Sequence, residues 1–402
     1  MQTWKISKLG EYSNVIAGQS PKGEFYNNLG KGIPFYQGKK EFTDKFIGAP
    51  STWTTSLTKE AIEGDILMSV RAPVGPVNIS TQRICIGRGL AAIRVSENLN
   101  RDYLFYYLSH IQNNLSGNSG AVFDSINKAQ IENIQIPLPP LPEQQRIVDI
   151  LGQSFAAIDQ AIENTEKNIA LSQSAFENHL NNYFTSKQEN WIKKPLFKLG
   201  QTQTGSTPST LNKSYFGEFI SFIKPADIDI DGFGNLNYEN EKLSEHGLKV
   251  SRKISKNSIL MVCIGGSIGK VGITNRNITC NQQINSLTLK EDYFPKFFYY
   301  AMRSYPFLKQ VISEASQATL PIINKSKWEN LSIGFPQNYS EQQKIATKLD
   351  NLLAEIKALQ NKYNQKIEKL QELKQSLLHK AFNGELWIIY FRNGKGKFIK
   401  LE

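Results

Sequence analysis

Residues suited to making and breaking bonds are sparse in this chain, while residues suited to holding anions are plentiful. His110, His179, His246 and His379 stand far apart, with no HxxxH spacing and no neighbouring cysteine, so no metal-ligand pattern forms. Asp227, Asp229 and Asp231 alternate in residues 226–232 but lack the downstream glutamate of a calcium loop. An exposed strand edge and turn is the plainer reading there. The run Gly265-Gly266-Ser267-Ile268-Gly269-Lys270-Val271 is one residue short of a phosphate-binding loop, with valine where that loop needs a hydroxyl for magnesium. It reads as a turn. Catalytic, metal and nucleotide sites are therefore not expected.

Positive charge at turns is the stronger signal. Lys22, Lys39, Lys40, Arg71, Arg83 and Arg88 fall at predicted turns in the first half of the chain. Lys213, Lys224 and Lys270, with Arg252, Lys253 and Lys256, do so in the second. Arg71 and Arg88 lie beside Pro or Gly and offer forked donors. Asn281, Gln282 and Gln283 offer amides where the first half has Ile86-Gly87-Arg88. Cations suit phosphates, whereas forks and amides suit base edges. Any single lysine is equally well read as a solvated surface charge. Tyr26, Tyr36, Tyr106, Tyr107 and residues 297–300 have the rings for base stacking, but their helical spacing favours the core.

The composition agrees. A chain of 402 residues with a net charge of +11 is long enough for two domains and suits an anionic partner. Charge alone does not separate nucleic acid from anionic lipid. Cys85, Cys263 and Cys280 are too scattered for a disulfide framework or a zinc module and fit a reducing cytoplasm. Apolar runs such as 259–264 are far shorter than the roughly 20 residues of a membrane span. The opening Met1-Gln2-Thr3-Trp4-Lys5 lacks the apolar stretch of a signal peptide. A cytoplasmic protein without a membrane partner is expected.

The elements that must position these residues come in two copies. Trp4-Lys5-Ile6 reappears as Trp191-Ile192-Lys193, and Gly18-Gln19-Ser20-Pro21 as Gly205-Ser206-Thr207-Pro208. Ile66-Leu67-Met68 returns as Ile259-Leu260-Met261, Ile126-Asn127-Lys128 as Ile323-Asn324-Lys325, and Glu143-Gln144-Gln145 as Glu341-Gln342-Gln343. The offset grows steadily from 187 at Trp4/Trp191 to 198 at Glu143/Glu341, which is a tandem domain duplication. Each copy begins with an α+β globule. Strands are predicted at 33–36, 65–70 and 89–95, with helices at 103–114 and 297–313.

Each copy ends in a long helix. Ile147, Leu151, Ile158 and Ile162 recur at steps of three and four, as do Ile345, Leu349, Leu352, Ile356, Leu359, Leu370, Leu373 and Leu377. That spacing makes a coiled-coil seam, about 60 Å long at 1.5 Å per residue. Pairing of each helix with its copy in another molecule, or of the two helices with each other, would cover it. An antiparallel pair within one chain would put the globules at opposite ends about an approximate two-fold axis. The divisions are 1–142 (first globule), 143–185 (first long helix), 186–339 (second globule), 340–385 (second long helix) and 386–402 (a tail of unassigned role).

With these residues laid out, residues 1–385 resemble the specificity subunit of type I restriction-modification systems. The most specific elements are Ile136-Pro137-Leu138-Pro139-Pro140-Leu141-Pro142-Glu143-Gln144-Gln145-Arg146-Ile147 and its weaker copy from Phe335-Pro336 to Glu341-Gln342-Gln343-Lys344-Ile345. Ser69-Val70-Arg71-Ala72-Pro73-Val74-Gly75 and the closing Ala381-Phe382-Asn383-Gly384-Glu385-Leu386 are also similar to that family. The resemblance implies two α/β target-recognition globules separated by two long antiparallel coiled-coil helices. It implies a non-catalytic reader of a bipartite, asymmetric double-stranded DNA sequence. Two modification subunits, adenine methyltransferases, would dock on it, and restriction subunits would join in systems that have them. No cofactor is expected on this chain; S-adenosylmethionine and ATP with magnesium would serve the partners. The only Pro-Pro pair, Pro139-Pro140, lies between leucines, not between Asn or Asp and an aromatic as methyltransferase catalysis requires. A coiled-coil tether carrying duplicated protein-binding globules is the alternative, and a standalone DNA-modifying enzyme a more remote one.

Overall fold

Two uninterrupted apolar runs organise the chain. Ile66–Ser69 and Ile259–Val262 are buried along their whole length, as short strands covered on both faces are. Both are seen in a computed structural model that describes residues 4–115, 125–186, 190–229, 232–316, 320–386, 390–392 and 398–400, with side chains described as far as residue 386. Contacts divide the chain into two units, one formed by residues 1–165 with 365–402, the other by residues 166–364.

Each unit builds the same four-stranded sheet. In the first unit the strand order is Ser13–Ala17, Leu90–Val95, Ile66–Ser69 and Val77–Ile79. In the second it is Gly200–Thr204, Ile284–Leu289, Ile259–Val262 and Val271–Ile273. The registers correspond, with Ile66 opposite Ile93 and Ile259 opposite Leu287. Because side chains alternate across a strand, each sheet feeds two cores. Ile66, Met68 and Ile93 face a core shared with the helix Arg101–Leu115, while Leu67, Leu90 and Ala92 face one shared with Tyr36, Ile84 and Ile86. Ile259, Met261 and Leu287 repeat the first arrangement, and Leu260, Val262 and Ile284 the second.

The expected strands at 33–36, 65–70 and 89–95 appear as Ile33–Tyr36, Ile66–Ser69 and Leu90–Val95. The helix expected over 297–313 is two helices, Pro295–Arg303 and Tyr305–Glu314. The break falls at Ser304, whose backbone is extended, and Pro306 is the cause. In a continuous helix it would have no N–H for the carbonyl four residues back and its ring would clash there, whereas in the first turn of a new helix it is tolerated. The tail, unassigned in the sequence, contains an antiparallel strand pair, Tyr390–Arg392 with Phe398–Lys400.

The two long helices are Leu141–Thr185 and Tyr339–Phe382, and the first, at 45 residues, is about 68 Å long. Within the first unit they pair antiparallel: Arg146 meets the Leu386 carbonyl and Lys374 pairs with Asp159. Within the second unit Gln360 donates to the Ile169 carbonyl and to Ser172 Oγ, also antiparallel. Ile147, Leu151, Ile158 and Leu377 are buried in the first unit's core, with Ile162 and Leu370 packed at its edge. Ile345, Leu349 and Ile356 are buried in the second, with Leu352 at its edge. Leu359 and Leu373, expected in the seam, are instead exposed. Much of the 3.5-residue stripe buries against the globules, so the helix pair itself needs fewer apolar residues.

Among the described residues no helix is long and apolar enough to cross a membrane.

Candidate nucleic-acid interface

Glycine at the start of the repeat shows how the candidate surface is built. Gly18 donates its N–H to the Leu90 carbonyl at 2.9 Å, and Gly205 donates to the Ile284 carbonyl at 2.9 Å. A Cβ on Gly18 would lie 2.2 Å from the Gly87 carbonyl oxygen, and one on Gly205 would lie 2.1 Å from that of Asn281. Only glycine lets these two chain segments approach so closely. The approach presses residues 18–20 onto the turn 87–90 in one unit, and residues 205–207 onto the turn 281–284 in the other.

The hydrogen bonds that follow fix a position-by-position equivalence. Leu90 N–H donates to the Gly87 carbonyl, and Ile284 N–H to the Asn281 carbonyl. Val70 N–H donates to the Gly89 carbonyl, and Cys263 N–H to the Gln283 carbonyl. Ile126 N–H donates to the Val70 carbonyl, and Ile323 N–H to the Cys263 carbonyl. Asn281, Gln282 and Gln283 thus correspond to Gly87, Arg88 and Gly89, one residue away from the alignment with 86–88 expected from sequence. The equivalent of Arg88 is Gln282. The equivalent of Arg71, which bridges Ser125, is Ile264, which bridges Ile322.

In the first unit this framework gathers most of the expected cations. Arg71 and Arg88 are exposed and line one cleft of about 230 Å³, together with Lys128, Asn127 and Ser125. Neither guanidinium forms an ion pair among the described residues. Arg88 N–H donates to Ser20 Oγ at 3.2 Å, and Ser20 Oγ donates to Gln37 at 2.8 Å. Exposed Lys22 lies two residues beyond Ser20, and exposed Lys39 and Lys40 open a 3-10 turn just after Gln37. Five chain segments thus adjoin here, and with Lys128 they carry six cations, three of them lining the cleft. Arg83 is elsewhere and pairs with Glu60 at 2.7 Å.

The second unit presents a different surface on the same framework. Gln282 is exposed and accepts a hydrogen bond from Thr207. Asn281 is buried, and its amide donates to Gln283 Oε1 at 2.9 Å, so it braces the turn and presents no free amide outward. Gln283 is half-buried. Ile322 is 40% and Leu320 52% exposed beside Ile264, giving this rim an apolar edge. Lys213 is exposed and Lys270 half-buried, while Lys224 pairs with Glu241 and is held over Phe222.

Other features of the sequence turn out to be structural. The Gly265–Lys270 stretch connects Ile259–Val262 to Val271–Ile273, so a strand follows it where a phosphate-binding loop leads into a helix. Asp227 is not on an exposed edge. It is buried, accepting from Lys224 N–H at 2.8 Å and from Asn240 at 2.5 Å; Asp231 lies outside the described residues. Tyr36, Tyr106 and residues 297–300 are core, whereas exposed Tyr26 stacks on Phe35 with ring centroids 4.8 Å apart. Burial pushes the thiols of Cys263 and Cys280 up to about 12, which removes them as nucleophiles. Among the described residues no cluster of three His, Cys, Asp or Glu is placed to hold a metal.

One positioning residue escaped sequence reasoning. Gln144 is buried in the first turn of its long helix, accepts from Asn100 N–H at 2.7 Å and donates to the Pro139 carbonyl at 2.9 Å. Gln342 repeats this, accepting from Phe294 N–H at 2.9 Å and donating to the Pro336 carbonyl at 2.8 Å. The recurrence of Glu-Gln-Gln was the available signal; its meaning is an amide clamp between each long helix and its globule.

The family described as type I restriction modification DNA specificity domain matches residues 1–171 and again residues 188–369. The chain belongs to that family. Two family domains in tandem correspond to the two copies of the framework. The EcoBI type I restriction enzyme specificity subunit of Escherichia coli is 22% identical over 96% of this chain and 86% of its own length. The MjaIX specificity subunit of Methanocaldococcus jannaschii is 24% identical over 95% of this chain and 93% of its own. A protein of the same organism, assigned as the MjaX specificity subunit, is 42% identical over 190 residues, 46% of this chain and 44% of that protein. Among solved structures, a subunit from a study of type I R-M complex assembly and conformational transition matches with a TM-score of 0.73 at 19% identity, over 96% of this chain and 99% of that one. The HsdS subunit of Thermoanaerobacter tengcongensis matches with a TM-score of 0.56 at 19% identity, over 96% and 98%. These structures share the specificity-subunit fold.

Proposed function

We propose that this chain is the non-catalytic, sequence-reading subunit of a type I restriction-modification complex, each unit reading one half of a bipartite, asymmetric duplex DNA target. One observation carries the reading: the two units hold the same turn framework and present different side chains from it. A shared framework with Arg71 and Arg88 in one copy, and Ile264 and Gln282 in the other, is what two different half-sites require. Exposed lysines around each framework supply phosphate contacts that position the protein without selecting sequence.

The long helices serve as the dock for two modification subunits, and for restriction subunits where the system has them. S-adenosylmethionine and ATP with magnesium belong to those partners, and this chain holds neither. Its only Pro-Pro pair is flanked by leucines, and its glycine-rich turn leads into a strand. The reading places the protein in the cytoplasm, with DNA.

Methylation-site sequencing of cells with and without this gene tests the proposal. Loss of methylation at one two-part motif on deletion supports it. Unchanged methylation, in cells whose modification subunits are present, overturns it.

A further inference from the structure

The two rims differ in kind as well as in residue. In the first unit Arg71 bridges exposed Ser125, and Arg88 projects from the neighbouring turn into the same cleft. In the second, Ile264 bridges exposed Ile322, and Gln282 occupies the position of Arg88. A guanidinium fork matches the two acceptors, O6 and N7, that guanine shows in the major groove. A glutamine amide matches the N6 donor and N7 acceptor of adenine, and an apolar edge matches the C5 methyl of thymine.

We infer that the Arg71/Arg88 rim reads a G·C pair in one half-site and the Ile264/Gln282 rim reads an A·T pair in the other, so that these two equivalent positions set base identity in each unit. The inference rests on the DNA-reading function proposed above. It explains why an apolar edge is left in water at Ile322 and Leu320, and why two arginines with no ion pair among the described residues line one cleft.

The test uses the full chain in cells with its partner subunits, reading methylation motifs for Arg88→Gln, Arg88→Lys, Gln282→Arg and the wild type. Arg88→Gln is expected to reduce preference for guanine at one position by roughly 5- to 150-fold, the discrimination of one bidentate pair, and to leave the other half-site unchanged. Arg88→Lys keeps the charge but replaces the planar fork with a single ammonium, so it should weaken that preference while still supporting methylation. Gln282→Arg should shift an A·T position toward G·C in the other half-site. Both residues are at an exposed position of a turn, and thermal unfolding of the three purified variants checks that each folds. The inference is overturned if Arg88→Gln and Gln282→Arg alter the same half-site, if Arg88→Lys keeps wild-type selectivity, if the motifs do not change, or if methylation falls evenly at all sites. A wild-type chain that directs no bipartite motif defeats the DNA-reading proposal itself; a wild-type motif with unmoved variants defeats only this assignment.

Discussion

Replacing Gln144 with alanine should loosen the first long helix from its globule. The residue is 1% exposed and its amide makes two short bonds to backbone groups, accepting from Asn100 N–H at 2.7 Å and donating to the Pro139 carbonyl at 2.9 Å, with a longer one to the Asn98 carbonyl at 3.4 Å. An orphaned buried donor or acceptor costs about 1–3 kcal/mol. Partial rehydration of the carbonyl brings the expected sum to about 2–4 kcal/mol for the pair. Gln145 is the control. It is exposed, and its contacts to Asn100 and Asp149 lie at the surface. Gln145→Ala should therefore cost about 0.5 kcal/mol or less. Hydrogen exchange at the Asn100 amide reads the effect directly, because that N–H loses its acceptor. A cost of 2–4 kcal/mol corresponds to exchange faster by roughly 30- to 900-fold. Equal exchange and equal denaturant midpoints for Gln144→Ala and Gln145→Ala would refute the clamp.

Other outcomes follow from the same packing. Burial first, and then the neighbouring charge of His379, hold His110 below its ordinary 6.5, so the unfolded chain protonates first as pH falls. Stability of the first unit should be full above about pH 6.5 and fall through that value toward the lower folded one; His110→Phe should flatten the slope in a pH series of unfolding curves. Arg303 is 6% exposed at its side chain and donates to Tyr299 Oη at 2.8 Å, the Gly232 carbonyl at 2.9 Å and Glu177 at 2.9 Å. Arg303→Met should destabilise the second unit by about 1–3 kcal/mol in denaturant titration, since it takes the donor from the Gly232 carbonyl and the cation from Glu177, whose partial exposure to water softens the loss. Gly18→Ala should cost about 1–3 kcal/mol through its clash with the Gly87 carbonyl, whereas Gly23→Ala, which meets nothing within 4 Å, should leave the melting temperature nearly unchanged.

The duplication was plain in sequence because Gly18, Ile66-Leu67-Met68 and Gln144 have mechanical tasks that recur at Gly205, Ile259-Leu260-Met261 and Gln342, while Asn127 and Asn324 each cap a short helix. The buried strands could be read because an uninterrupted apolar run has few other destinations. Leu359 and Leu373 were misplaced for a physical reason: a 3.5-residue period reports an apolar stripe, not which neighbour covers each residue. One helix was expected over 297–313 although Pro306 stands within it, and two helices form. Arg71 and Arg88 were legible as forked donors beside Gly or Pro. Their placement in one cleft was not, since it depends on backbone hydrogen bonds between residues 70 and 89. The one-residue error at Asn281 has the same origin, because the copies differ in side chain where the backbone is alike. Gln144 was visible as a repeated letter, but burial of an amide is set by tertiary packing and leaves no periodic mark.

Selection of duplexes by the reconstituted complex, followed by salt titration of the selected sequence, tests the central claim most directly. The account gives enrichment of two separated half-sites with an unspecified gap between them. With about six phosphates contacted, log affinity should fall against log salt with a slope near about −5. Enrichment of a single contiguous site, or affinity that ignores salt and sequence alike, would contradict it.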